Sequence, residues 1–280
     1  MGNSGNRDLE SEGDAVSGPS AAAPRGQYLE QGFVVVPGLL SSEELDALRQ
    51  DTDRAVRERI APILFEDESD AAAAAVPDLY KSPDGRVFRR LNRVIERGGA
   101  FERVVFGPLA AAVAGIVPPP LTVCLNRHNM VMLKAPHNPA VVAWHQDAPV
   151  WNEGTFEHLT AVVALDDFRT DNGCLDVVPG SHRLGTIGLG WPENPEQVWA
   201  RHRDTIERHA VPVPLRAGDA LVMHGLLLHG SAGNRSARPR RSLTVAFFPG
   251  DLSVASTHAD NPPEVRSVLF GDASEPVRRT

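Results

Sequence analysis

From Leu121 to Phe248 the chain breaks into short apolar runs: LTVCLNRH, NMVMLKA, VVAWHQDAPVW, HLTAVVALDDF, CLDVVPG, ALVMHGLLLHG and RRSLTVAFF. Each is bounded by Pro, Asn, Asp or Gly and is rich in β-branched residues, so each reads as a strand rather than a core helix. Many short strands in succession, preceded by helices, predict a mainly β protein with flanking helices whose core is a double-sheet, cupin-like jelly roll.

The segments before the strands differ in kind. Residues 1–26 are rich in Gly, Ser, Ala and Pro and nearly free of large apolar side chains, which predicts a disordered tail. Order is expected from Gln27, with a short helix or turn and then the strand FVVV closed by Pro37 and Gly38. Ser41 and Glu44 have capping-box spacing ahead of a helix whose Leu45, Leu48, Val56 and Ile60 share one face. A second helix is expected over 100–113, stopped by Pro118, Pro119 and Pro120. Residues 27–280 are expected to form a single domain with two lid segments. One lies near 61–90, where FEDESD, an alanine run and the turn KSPDG follow one another; the other, near 185–210, is a Gly-rich loop and a helix.

A net charge of −8 with both signs interspersed leaves no basic face for nucleic acid. No uninterrupted apolar run reaches the roughly 18 residues of a membrane span, and no export signal opens the chain. Asn6 stands where a myristoylation signal needs Ser or Thr. A cytoplasmic monomer or homodimer without a membrane or nucleic-acid partner is therefore expected. Cys124 and Cys174 lack CxxC partners and read as buried small hydrophobes.

Chemistry is signalled by histidine and aspartate. Fe(II) that activates oxygen needs two imidazoles and a carboxylate on one face and open positions on the other. In VVAWHQDAPVW, His145 and Asp147 stand two apart in a strand and project to the same side, while Trp144 and Gln146 point away. Trp151 shares the parity of His145 and is either a pocket wall or a core residue. Two further H-x-D pairs are poor ligands: His202 and Asp204 lie in a charged helix, where residues two apart diverge, and His258 and Asp260 lie in a turn with no histidine after them. The third ligand must come from a distant strand, and ALVMHGLLLHG offers His224 and His229. Their odd spacing puts them on opposite faces of a regular strand, so one at most reaches the metal; His229, at a strand end, is the better placed.

Taken together, QGFVVVPGLL, WHQD, DNGCLDVVPGSHR, AGDALVMHGLLLHGSAGNRS and RPRRS resemble the phytanoyl-CoA dioxygenase family of Fe(II)/2-oxoglutarate oxygenases over residues 27–250. The resemblance implies a double-stranded β-helix core and a catalytic iron held by His145, Asp147 and His229. It implies that Arg240, eleven residues after His229, binds the distal carboxylate of 2-oxoglutarate, a task suited to a guanidinium fork. Ser242, on the same strand face, is placed to add a hydroxyl, and Lys134 stands where family members carry a basic residue near the co-substrate. Arg241 is expected to face solvent. The implied cofactors are Fe(II), 2-oxoglutarate and O2, and the implied reaction is oxidation, chiefly hydroxylation, of a C–H bond of a small-molecule substrate. Desaturation, cyclisation and epimerisation use the same site. Asn172, Gly173, Pro179, Gly180 and Ser181 match a family segment and read as turn formers.

The departures narrow the substrate. Asp147 stands where the family's halogenases carry a small residue, so halogenation is disfavoured. Val162, Val163 and Ala164 occupy the strand on which phytanoyl-CoA enzymes place an aromatic, and no basic surface suits a CoA phosphate. Tailoring of a secondary metabolite, as in antibiotic biosynthesis, is expected. A cupin-like metal dioxygenase or isomerase without 2-oxoglutarate, or a catalytically silent binding barrel, would share the fold; the complete ligand set with Arg240 in register favours the oxygenase.

Overall fold

A computed structural model describes residues 22–66, 76–125, 128–148, 158–187, 195–250 and 265–268. The N-terminal part runs α1 (Ala22–Gln31), β1 (Phe33–Val36), α2 (Ser42–Arg57), β2 (Ile63–Phe65), β3 (Phe88–Asn92), α3 (Gly99–Val104) and α4 (Ala110–Ile116). The strand-rich part runs β4 (Leu121–Cys124), β5 (Asn129–Lys134), β6 (Val142–His145), β7 (Leu159–Ala164), β8 (Leu175–Val177), α5 (Pro195–His209), β9 (Val211–Val213), β10 (Ala220–His224), β11 (His229–Ser231), β12 (Arg240–Pro249) and β13 (Val265–Val268).

Two sheets result. The major one has the order β1-β10-β7-β12-β5-β3-β2, with β4 on the far end of β12 and β13 beside it; the minor one is β6-β11-β8-β9. The pairs are antiparallel, and the sheets face each other without closing into a barrel, as in a double-stranded β-helix. Strand alternation decides what each face does. On the outer face of the major sheet, Val131, Val163, Val222 and Leu243 meet Leu48, Phe101, Leu109 and Val113 of the helices in one apolar core. On the inner face, Val162, Ala164, Leu221 and Met223 meet Leu175, Val177 and Val213 of the minor sheet. The remaining inner positions, toward β5 and β3, are polar or methionine and line a cavity instead.

The capping box at Ser41 forms in both directions, and Leu45, Leu48 and Val56 are buried. Ile60 lies past the helix end and is 39% exposed, so it does not extend that face. The second helix is interrupted: Pro108 has no N–H to give, and Gly107 leaves helical φ/ψ in a π-turn between α3 and α4. Gly99–Ile116 is long and apolar enough by composition to cross a membrane, yet Phe101, Val105, Leu109 and Val113 of this stretch lie in the helix–sheet core.

Three boundaries differ from expectation. Helix α1 starts at Ala22, ahead of Gln27. The ends of the 61–90 segment are strands of the major sheet, because β3 pairs β5 from Arg90↔Met132 to Asn92↔Met130 and β2 pairs β3. In the 185–210 segment, Ile206 of α5 packs with Val178, Leu228 and Trp144, a wall fixed to the back of the minor sheet.

Candidate active site

His145 ends β6, Asp147 follows it, and His229 opens β11, directly opposite His145 in the antiparallel register. Their ligand atoms all lie within 4.8 Å of one another. Asp147 Oδ1 is 3.4 Å from His145 Nε2 and 3.8 Å from His229 Nε2. The backbone fixes both imidazole tautomers. Nδ1 of His145 lies 2.8 Å from the Ala143 carbonyl and Nδ1 of His229 lies 2.9 Å from the Leu227 carbonyl. A carbonyl can only accept, so each Nδ1 carries a proton and each Nε2 is the nitrogen turned toward Asp147. The third side chain is oriented from β7: the Thr160 hydroxyl donates to Asp147 Oδ2 at 2.6 Å.

The electrostatics agree with a cation site. Burial pushes the Asp147 carboxyl up, but His128, His229 and His145 around it prevail and hold it well below the usual carboxylate range. Burial takes His229 down to about 4, leaving a neutral imidazole as metal binding requires. Burial lowers His145, but its bond to Asp147 prevails and raises it. The donor set, two imidazoles and one carboxylate, suits Fe(II) with open positions.

The sequence-predicted residues do not all gather here. His224 is on the other side of its strand, stacked 6.1 Å from Tyr28 and 5.2 Å from His182, so His229 alone of the pair joins the cluster. Trp144 packs behind the minor sheet, away from the cluster. Gln146 also points away and braces the next loop, donating to the Leu226 and Gly185 carbonyls and accepting from the Ile187 N–H. His202 and Asp204 lie on α5, where Asp204 pairs with Arg208. Trp151, His258 and Asp260 lie outside the described residues.

A pocket of about 530 Å³, counted out to its open mouth, joins the three ligand residues to Arg240, and its walls include Val162, Leu175, Ser231 and Thr244. Arg240 is 3% exposed, its guanidinium lies 4.1 Å from the Phe168 ring centroid, and its Nε is buried without a hydrogen-bond partner. Burial lowers it to about 10, so it stays charged at neutral pH. A buried cation with no carboxylate paired to it among the described residues is suited to hold the carboxylate of a ligand. Ser242 is buried on the same face but is not a lining residue; Thr160, Ser231 and Thr244 are the hydroxyl residues that line the pocket. Lys134 pairs in register with Arg240, and its ammonium donates to the Ala140, Ser231 and Ala232 carbonyls, pinning the β11–β12 turn. Desolvation and the Arg240 charge lower it to about 7.

Arg241 corrects the expectation of a solvent-facing residue. It forms a fork with Asp166, Nε to Oδ2 at 2.9 Å and Nη2 to Oδ1 at 2.8 Å, and reaches Asp53 of α2 at 2.6 Å. The turn formers behave as expected: Asn172 closes its loop on Arg169 and Asp167, and Gly173 has φ +76° with Ala232 O only 2.3 Å from where a Cβ would stand. Sequence reasoning missed Thr160, His128, whose Nε2 lies 3.7 Å from Asp147 Oδ1, and Arg90, a further lining residue. None belongs to a spacing pattern that could have marked it.

The family model of the phytanoyl-CoA dioxygenases matches residues 28–242. Ectoine dioxygenase of Halomonas elongata is 29% identical over 262 residues, covering 85% of this chain and 71% of its own. L-proline trans-4-hydroxylase of Streptomyces griseoviridis is 26% identical over 255 residues, covering 83% and 88%. Among solved structures, the epimerase SnoN in complex with Fe3+, alpha ketoglutarate and nogalamycin RO superposes with a TM-score of 0.64 at 23% identity, covering 92% of this chain and 93% of that one.

Proposed function

Because the chain belongs to the phytanoyl-CoA dioxygenase family and is an Fe(II)/2-oxoglutarate-dependent dioxygenase, we propose that His145, Asp147 and His229 hold its iron and Arg240 its 2-oxoglutarate, and that it hydroxylates a C–H bond of a small secondary metabolite in the cytoplasm. Bound Fe(II) and 2-oxoglutarate supply O2 activation, with succinate and CO2 formed for each oxygen atom delivered. The chain's own residues do the rest. The two Nδ1–carbonyl bonds aim both Nε2 atoms inward, and Thr160 keeps Asp147 from rotating. Arg240 fixes the far end of the co-substrate, and Lys134 stiffens the turn that carries it. Ser242 supports the same strand from within the sheet. The methionine and valine walls keep water from the reacting bond. A secondary-metabolite substrate is supported by SnoN, an enzyme described for nogalamycin, and a hydroxylation outcome by the proline hydroxylase relative.

The observation that carries this reading is the buried, unpartnered guanidinium of Arg240 in the same pocket as the three ligand residues. The test is anaerobic: metal-free protein receives Fe(II) and then 2-oxoglutarate, and the visible charge-transfer band of the chelate is followed. The band should form in the native protein, fail in His229→Ala, and need at least about thirtyfold more 2-oxoglutarate in Arg240→Ala, since about 2 kcal/mol of charge-assisted bonding is lost. Iron binding without a band would move the cupin-like reading ahead.

A further inference from the structure

Of the lining Arg and Asp residues, Arg90 is the one to which the iron and the co-substrate give no role. It lies on the inner face of β3, opposite Met132, which is in turn opposite Ser242, so it reaches the cavity across β5 from the strand that carries Arg240. Its Nε is buried without a hydrogen-bond partner, and no carboxylate is paired with its guanidinium among the described residues. Its neighbours contrast with it: Arg89 pairs with Glu66 at 3.3 Å, Arg93 with Glu96 at 2.9 Å, and Arg97 donates to the Asn92 and Ile60 carbonyls. Glu66 and Asp147 act on Arg90 only through space: Glu66 is paired with Arg89, and Asp147 accepts from Thr160 and lies beside the imidazoles.

Arg90 is half-buried, its Nε has no partner, and no carboxylate lies within ion-pair distance among the described residues, so a ligand that brings a carboxylate meets an open guanidinium there. With one carboxylate of 2-oxoglutarate assigned to the iron and the other to Arg240, Arg90, across β5 from that strand, is placed for a third anion, which the substrate would bring. We propose that Arg90 anchors a carboxylate of the substrate, so that the enzyme acts on small organic acids whose apolar body lies along Met130, Met132 and Met223 toward the iron. The planar fork matches a carboxylate in two parallel hydrogen bonds, and fixing that end selects which carbon faces the metal.

This inference rests on the oxygenase reading of the site, and its test separates the two. Protein loaded with Mn(II) and saturating 2-oxoglutarate, so that Arg240 is occupied, is titrated calorimetrically with acetate and with acetamide, its neutral isostere. Native protein should bind acetate at least about tenfold more tightly than acetamide. Arg90→Gln should lose that preference and Arg90→Lys keep part of it, while both variants show native circular dichroism and need within about twofold the native 2-oxoglutarate for the Fe(II) charge-transfer band. The proposal is overturned if native protein does not discriminate, or if the preference survives in Arg90→Gln. It is also overturned if Arg90→Gln raises the 2-oxoglutarate requirement or loses iron, which would make Arg90 a partner of the co-substrate or of Asp147. A native protein that gives no band sinks both readings, and does so before any variant is made.

Discussion

Asp147 carries the negative charge that any metal here would meet first, and its orientation is set from a different strand. The Thr160 hydroxyl occupies Oδ2, which leaves Oδ1 for the imidazole side of the cavity. Thr160→Val should therefore keep the shape of β7 yet weaken Fe(II) binding by about tenfold or more, while Thr160→Ser binds nearly as the native protein does. Competition against a coloured chelator measures this; equal affinities in all three proteins would mean that the sheet alone positions the carboxylate. At this scale, legibility followed pattern. His145 and Asp147 were readable because strand geometry puts i and i+2 on one side. His229 and Arg240 were readable because they stand in a resemblance. Thr160 is a lone hydroxyl in HLTAVVAL, and Arg90 a lone charge in FRRLN; what makes each of them matter is a neighbour far off in sequence.

Strand β12 shows how an element is held in place for the sake of one residue. Arg240 faces the cavity, and Arg241, of opposite parity, grips Asp166 and Asp53 on the outer side. The grip ties β12 to the end of β7 and to α2, and so braces the strand that carries Arg240 beside the His145, Asp147 and His229 cluster. Arg241→Met should leave two carboxylates without their cation and destabilise the protein by about 2–3 kcal/mol in urea unfolding. A loss under about 0.5 kcal/mol would mean that solvent screens the cluster and the grip holds nothing. Elements with a local signal were legible: α2 by its capping box, and the strands from Leu121 onward by short β-branched runs between turn residues. Strand β3 was not, because FRRLN lacks alternation. Phe88 and Leu91 are both buried although their odd spacing breaks the period of two, and Arg90 faces a cavity rather than solvent. A strand that lines a site loses the apolar signature of one that fills a core, so the 61–90 segment read as an excursion while its ends completed the pocket wall.

Across the whole molecule, buried histidines set the response to acid. Burial takes His158 down to about 3 and His224 to about 4, well under their unfolded value of 6.5, and His229 behaves likewise. Between that value and the folded ones the unfolded chain holds more protons than the native one, so stability falls as pH drops through 6.5 toward 4. His145 acts in the opposite sense, since its raised pKa adds stability below 6.5 that is lost as pH rises through the folded value. Burial lowers His182 as well, so among the described residues four histidines stand against one. Asp147 does not enter this window, because a lowered carboxyl gives up its contribution only below the unfolded value of 3.8. Lys134 acts above about 7, where its lowered pKa lets stability rise toward 10.5. Metal-free protein should thus lose on the order of 1.4 kcal/mol per pH unit for each excess proton taken up on unfolding below pH 6. Urea midpoints at pH 7.5, 6 and 5 measure the slope, and His224→Asn, which keeps a side-chain acceptor for the Leu226 N–H, should reduce it by about one proton. Fe(II) should flatten the curve down to the pH at which it dissociates, because a metal on Nε2 denies that nitrogen to the proton. A midpoint that does not move between pH 7.5 and 5 would mean that these histidines open to water without unfolding the sheets, and that the cavity is wetter than its walls imply.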